Sequence, residues 1–325
     1  MEIESKVKKI AVLTSGGDAP GMNACIRAVV RSGIARGIEV YGIYDGYKGL
    51  VEGHIEQMNR GSVSDIMIKG GTILGTARLP EFKDPKVVAK GVEVLKDLGI
   101  EAVVCIGGDG TYKGAMALTK QGINCIGIPG TIDNDIASTE YTIGFDTAQN
   151  TVLDAIDKLR DTSQSHRRCS VIEVMGNRCG DIALYTGICS GAEIIITPES
   201  GFDEQDVIDR LNYLDNRRRK KHAIVLISEK ITDAELFAKK ISDNTRFSGR
   251  ATILGHIQRG GSPSAFDRML ATRMGDKAVE ILAAGEGGKC IGFLGNQVLY
   301  FDIDEALSMP KRSRKELNQL QARLI

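Results

Sequence analysis

Short, largely apolar and β-branched runs punctuate the chain: Ile10 to Thr14, Val40 to Ile43, Ala102 to Ile106, Cys125 to Ile128, Ser170 to Val174, Glu193 to Ile196, Ala223 to Ser228 and Ala251 to Leu254. Helical patterns lie between most of them. Runs without strict polar alternation suit strands covered on both faces, the parallel arrangement in which helices serve as crossovers. The pattern predicts a doubly wound α/β chain. One helix is expected to begin near Pro20, with proline in its first turn after a glycine pair and Asp18. Another is expected near Asp203, opening with acidic residues. No repeat period, low-complexity tract or linker-like stretch interrupts the 325 residues, so two domains would be joined by tight crossovers.

Composition narrows the function classes. Acidic and basic residues balance at 42 each, which removes a global field for nucleic acid or anionic membrane and leaves only local clusters as anion sites. The longest apolar runs are far too short to cross a bilayer, and the N-terminus enters a strand-like pattern without a signal peptide, so a cytoplasmic location is expected. Seven cysteines (Cys25, Cys105, Cys125, Cys169, Cys179, Cys189 and Cys290) form an odd set without a CxxC pair. They read as reduced core thiols rather than a disulfide framework or a zinc site.

Four motifs carry candidate chemistry. Thr14 to Asn23, reading TSGGDAPGMN, follows the first strand and opens a helix, which suits either a phosphate cradle or a tight turn needing positive φ. Gly107-Gly108-Asp109-Gly110-Thr111 follows another strand and displays a carboxylate where open α/β sheets bind ligands; Asp109 there can hold Mg²⁺ while glycine amides meet phosphate. The alternative is a capped helix start. In Pro129 to Asp135, reading PGTIDND, an extended backbone would turn Asp133 and Asp135 to the same side; an Asx-turn loop is the competing reading. His256 and Arg259, in HIQRGG after Arg250, are three residues apart and can converge on one anion if the segment is helical or turned. Alone, they read rather as a core histidine and a surface arginine.

Taken together and in this order, the motifs closely resemble the bacterial-type ATP-dependent 6-phosphofructokinases. The similarity runs from Lys9 to about Gly292 and includes Ile43 to Tyr47, Gly70 to Thr72, Tyr141 to Phe145 and Val174 to Gly176. Only the segment after it matches weakly. The resemblance implies two Rossmann-like parallel-sheet domains, an ATP-binding one at residues 1–143 plus 257–307 and a smaller one for fructose 6-phosphate at 144–256 plus 308–325. It implies a homotetramer and Mg²⁺-dependent conversion of ATP and fructose 6-phosphate into ADP and fructose 1,6-bisphosphate.

Carried over residue by residue, Asp133 would accept the proton of the sugar 1-hydroxyl, Thr131 would position that hydroxyl, and Asp135 would support metal and base. Asp109 would bind the metal. Gly17, Arg78, Leu79 and the Gly108, Asp109, Gly110, Thr111 turn would hold ATP, with Arg78 also counted among the catalytic residues. Arg250, His256 and Arg259 would receive the sugar phosphate, with Glu229 and the Met175, Gly176, Asn177 turn on the sugar hydroxyls. Arg168 would reach in from a neighbouring subunit. Pyrophosphate-using relatives carry Asp where this chain has Gly110 and Lys where it has Gly130, so glycine at both places implies ATP as donor.

A second anion site is implied at Arg27, Arg31, Arg60, Arg160, Gly191, Glu193, Arg218, Lys220, Lys221 and His222, where the family binds ADP as activator or phosphoenolpyruvate as inhibitor between subunits. Composition alone would read those basic residues as solvated surface. Two departures stand out. The basic run Arg217-Arg218-Arg219 is one residue longer before Lys220, and Asn177-Arg178 replaces the arginine that the family has straight after Met-Gly. Other kinases sharing a GGDGT turn, such as NAD or lipid kinases, lack the combined TIDND and HIQRGG segments. A catalytically silent nucleotide sensor is the alternative from another class, against which Asp109, Asp133 and Arg78 speak.

Overall fold

A computed structural model describes residues 5–218 and 220–324. In chain order its first elements are β1 (Lys9–Ser15), α1 (Met22–Ala35), β2 (Glu39–Ile43), α2 (Gly46–Glu52), β3 (Ile55–Met58), α3 (Pro85–Asp97), β4 (Ala102–Gly107), α4 (Asp109–Lys120) and β5 (Asn124–Pro129). They continue as α5 (Phe145–Gln164), β6 (Arg168–Val174), α6 (Asp181–Ser190), β7 (Ile194–Ile196), α7 (Glu204–Arg218), β8 (Ala223–Ser228), α8 (Ala234–Asn244) and β9 (Ser248–Ile253). The last are α9 (Ala265–Ala283), β10 (Lys289–Leu294), β11 (Gln297–Asp302), α10 (Ile303–Ser308) and α11 (Lys315–Leu324). Single 3₁₀ turns occupy Pro80–Lys83 and Gly255–Arg259.

Two compact units result, one of Met1–Ile132, Ile136–Thr147 and Arg259–Lys311, the other of Asp133–Asp135, Ala148–Gln258 and Arg312–Ile325. The first holds a seven-stranded sheet of order β11-β10-β5-β4-β1-β2-β3, parallel through its centre and antiparallel only at the two edge pairs. Ile10, Ala11, Val12 and Leu13 of β1 are fully buried between parallel neighbours β2 and β4, which is why that run carries no polar alternation. The second unit holds an all-parallel sheet of order β7-β8-β6-β9, with Val225 and Ile227 of β8 in a core closed by Leu211 of α7 and Phe237 of α8.

Both sheets make the expected α/β class. The helix expected from Pro20 starts later, at Met22, because Gly21 takes the N-cap in the left-handed region at φ 108°. Asp203 caps α7 as its acidity suggested, accepting from the amides of Gln205 and Asp206 at 2.9 and 3.2 Å. All seven cysteines are free thiols, but Cys189 is exposed and so departs from the expected set of core thiols.

Candidate active site

Within the first unit the strand order reverses between β1 and β4, and their pairing sets Ser15 opposite Gly107; β5 in turn sets Pro129 opposite Gly107. The three turns that follow those strands therefore leave one sheet edge side by side, the switch-point geometry at which open α/β sheets bind ligands. Each turn is tied to its neighbour. Thr111 Oγ1 donates to the Ser15 carbonyl at 3.0 Å, the Gly130 amide donates to Gly107 at 3.1 Å, and Thr76 Oγ1 donates to Gly16 at 2.7 Å. Tyr47, stacked on Phe82 at 4.3 Å, donates its buried hydroxyl to the Thr111 carbonyl at 2.6 Å.

Asp109 is exposed as the first residue of α4, with Gly108 at the N-cap and Gly110 beside it. A carboxylate there faces the positive end of the helix dipole, and the neighbouring amides remain available to an anion. Among the described residues no group of three or more His, Cys, Asp or Glu side chains converges on a metal position. A lone carboxylate nevertheless suits Mg²⁺, which commonly takes one or two protein carboxylates and fills its remaining positions with phosphate oxygens and water.

Arg259 is brought to the first glycine turn. A Cβ at Gly17 would fall 2.3 Å from Arg259 Nη1, and the same nitrogen lies 4.0 Å from Asp18 Oδ1. Only glycine leaves that space. Arg78 is exposed just before the Pro80–Lys83 turn, whose N-cap is Leu79.

The segment from Thr131 to Asp135 is a turn rather than an extended strand. Ile132 and Asp133 form it, and Asn134 lies in the left-handed region at φ 52°. The alternation expected of an extended backbone therefore does not set the directions of Asp133 and Asp135, and this corrects the sequence expectation. Thr131 is anchored by its amide to the Ile143 carbonyl at 3.1 Å and by its own carbonyl to the Thr142 hydroxyl. Asn134 Nδ2 donates to Asp181 Oδ2 at 2.8 Å.

In the second unit the carboxyl ends of β6 and β8 are aligned, with Val174 opposite Ser228, and β9 lies on the other flank of β6. The turns after them carry the remaining acceptor-side residues. Glu229 Oε1 accepts the Asn177 amide at 2.8 Å and the Gly176 amide at 3.3 Å, so Glu229 shapes the Met175, Gly176, Asn177 turn. Gln258, fully buried, accepts the Met175 amide at 3.2 Å. His256 is exposed on the 3₁₀ turn Gly255–Arg259. Arg250 is exposed on β9 and donates Nη1 to the adjacent Gly249 carbonyl at 2.9 Å. Arg168 opens β6 and reaches the Thr162 hydroxyl at 3.3 Å.

At the Asn177 departure, Lys230 Nζ donates to Asn177 Oδ1 at 2.9 Å. Arg178 is exposed. Local sequence gave no signal for Lys230, Gln258 or Tyr47, because each acts on a turn far away along the chain.

The expected effector residues fall into two groups. In the first unit Arg27 is half-buried, and Arg31 Nη2 donates to the Arg60 carbonyl at 3.3 Å. In the second, Lys220 pairs with Glu193, which is 4% exposed and also accepts the Ile224 amide at 2.7 Å. Arg160 donates to the Ser190 carbonyl, next to the left-handed Gly191 that ends α6. Burial holds His222 below its ordinary value, helped by Arg160 and Lys220 and opposed by Glu193. Gly191, Glu193 and Lys220 line a cavity of about 110 Å³, walled also by Gln321 and Leu324 of α11. Lys221 is exposed. Arg219 lies outside the described residues, as do the side chains of Arg217 and Arg218.

The geometry defines a class: an α/β protein of two Rossmann-like sheets, with glycine-rich, carboxylate-bearing turns at the carboxyl ends of its strands. Comparison narrows it. Residues 9–282 match the phosphofructokinase family (PFK). A Bacillus thuringiensis protein named ATP-dependent 6-phosphofructokinase is 57% identical over 318 residues, covering 98% of this chain and 99% of that one. The phosphofructokinase structure from Saccharomyces cerevisiae superposes with a TM-score of 0.84 at 33% identity over 98% of this chain, which spans 46% of the yeast chain. A pyrophosphate-dependent phosphofructokinase from Nitrosospira multiformis shares the fold at the same TM-score of 0.84 and 19% identity, covering 98% of this chain and 92% of that one. The chain belongs to the phosphofructokinase family.

Proposed function

We propose that this chain transfers the γ-phosphoryl group of ATP to the 1-hydroxyl of fructose 6-phosphate, giving fructose 1,6-bisphosphate and ADP. The observation that carries the proposal is the register of Ser15, Gly107 and Pro129, which delivers the Gly17, Asp109 and Thr131 turns to one sheet edge. The name of the 57% identical Bacillus relative supports the same reading.

In this reading Gly17, Arg78, Leu79 and the Gly108 to Thr111 turn bind the nucleotide. Asp109 holds Mg²⁺, which when bound supplies charge neutralisation at the phosphates. Phosphoryl transfer asks little covalent chemistry of a protein, so positioning and electrostatics carry most of the acceleration. Thr131 orients the acceptor hydroxyl, Asp133 takes its proton, and Asp135 supports both. Glu229 and the Met175 to Asn177 turn hold the sugar, and Arg250, His256 and Arg259 receive its phosphate. Arg259 also lies against Gly17, a place from which it can serve the nucleotide-side turn.

The donor reading rests on Gly110 and Gly130, because the fold itself also occurs with a pyrophosphate-dependent name. We further assign the two units as the ATP-binding and fructose 6-phosphate-binding domains and the protein as a cytoplasmic homotetramer, completed by Arg168 of a neighbouring copy. Among the described residues no helix is long and apolar enough to cross a membrane. The cluster of Arg160, Gly191, Glu193, Lys220 and His222 is proposed as part of an effector site for ADP or phosphoenolpyruvate. Identification of the product as the 1,6-bisphosphate by phosphorus NMR tests the function; an unchanged sugar phosphate would refute it.

A further inference from the structure

We propose that Asp181 and Arg314 are positioning residues for Asp133, holding the turn that carries it through Asn134. The inference rests on the assignment of Asp133 as the base. Asn134 stands between Asp133 and Asp135 in the left-handed region, which asparagine adopts more readily than most residues, and its side chain is available to fix the turn. Asp181 holds that side chain. Its Oδ2 accepts Asn134 Nδ2 at 2.8 Å, and the residue is 1% exposed at the start of α6.

Asp181 is itself immobilised. Arg314 Nε donates to Oδ1 at 2.7 Å and Nη2 donates to Oδ2, a two-pronged guanidinium-carboxylate fork that fixes the plane of the carboxylate. Asn134 thus hangs on an acceptor that cannot rotate. Neither Asp181 nor Arg314 meets substrate in this account; both act through the backbone of the turn. A displacement of the base by about 1 Å is enough to cost about a hundredfold in rate. Arg314 comes from the segment after Gly292, where family resemblance is weakest and no motif falls.

The test compares Arg314→Gln, Asp133→Ser and the double variant in the full-length protein. Arg314→Gln is expected to lower kcat about tenfold or more with KM for ATP within twofold, because the nucleotide turns belong to the first unit. Arg314→Lys, which keeps the charge but loses the fork, should recover part of that loss. In the Asp133→Ser background the Arg314 change should cost less than twofold more, since it acts through a base no longer present. Near-normal turnover in a folded Arg314→Gln protein, or an undiminished additional loss in the double variant, would overturn the proposal. If Arg314→Gln does not fold, Arg314→Lys is read against the same thresholds, with near-normal turnover overturning the idea. Near-normal turnover in Asp133→Ser alone would instead sink the base assignment, and this proposal with it.

Discussion

Oδ2 of Asp267 accepts hydrogen bonds from both the amide and the hydroxyl of Thr147, at 2.8 and 2.6 Å, while Oδ1 takes the Gly144 amide at 2.9 Å. A carboxylate on α9 thereby caps the start of α5. The relation is reciprocal, because Ser264, the N-cap of α9, donates its amide to the Thr147 hydroxyl at 2.9 Å and its hydroxyl to Asp146. Two helix starts satisfy each other's unpaired amides.

Burial pushes the Asp267 carboxyl up from 3.8 to about 6, opposed by the bonds from Thr147 and Gly144 and reinforced by the Asp146 charge. A carboxyl with a raised folded-state pKa stabilises the fold fully below its unfolded value, and that contribution is lost as pH rises through the folded value. Relative to Asp267→Asn, the native protein should therefore gain stability as pH falls from 7 through 6 toward 4, by up to about 3 kcal/mol. Denaturant melts of both proteins across that window check it. Parallel pH profiles would contradict it.

Legibility in the sequence followed burial. The interior strands β1, β4, β5, β6 and β8 announced themselves because they are covered on both faces and so stay apolar, and β2, β7 and β9 were legible from their β-branched runs although β9 exposes Arg250 and Ile253. The edge strands of the first sheet did not: β3 is four residues with Glu56 and Gln57 exposed, and β11 has no buried position. The glycine turns were legible because glycine straight after a strand has few other uses. Their supports were hidden, since Tyr47, Gln258 and Asp181 act on turns remote from them along the chain, and a single Asp at a helix start reads only as a cap. The left-handed Asn134 defeated the alternation argument for Asp133 and Asp135 because one residue's φ reverses what period two assumes.

Gly110 separates donor choice from folding. A Cβ built there meets no heavy atom within 4 Å, so Gly110→Asp should leave the melting temperature within about 2 °C. Its carboxylate would nonetheless repel the α-phosphate of ATP, and ATP-dependent kcat/KM should fall about a hundredfold or more. A drop in melting temperature that accounts for the lost activity would contradict the donor argument.

Gly17 tests the placement of Arg259. Its alanine Cβ would meet only the flexible end of that side chain, so Gly17→Ala should fold normally while displacing the guanidinium. KM for ATP is expected to rise about tenfold. Unaltered kinetics would remove Arg259 and Gly17 from a shared role.

Lys230 and Arg178 offer rival cations for the uncharged Asn177. Since Lys230 is the one bonded to Asn177, Lys230→Ala should raise KM for fructose 6-phosphate about tenfold, and Arg178→Ala should stay within about twofold of native. The opposite ranking would show Arg178 to be the substitute for the family arginine.

Coupled detection of ADP release, with the donor exchanged between ATP and pyrophosphate, bears on both the reaction and its donor. With Mg²⁺ present, ADP formation from ATP should depend on and saturate with fructose 6-phosphate, and pyrophosphate should give no fructose 1,6-bisphosphate. Sugar-independent ADP release, no turnover at all, or turnover with pyrophosphate in place of ATP would contradict the account.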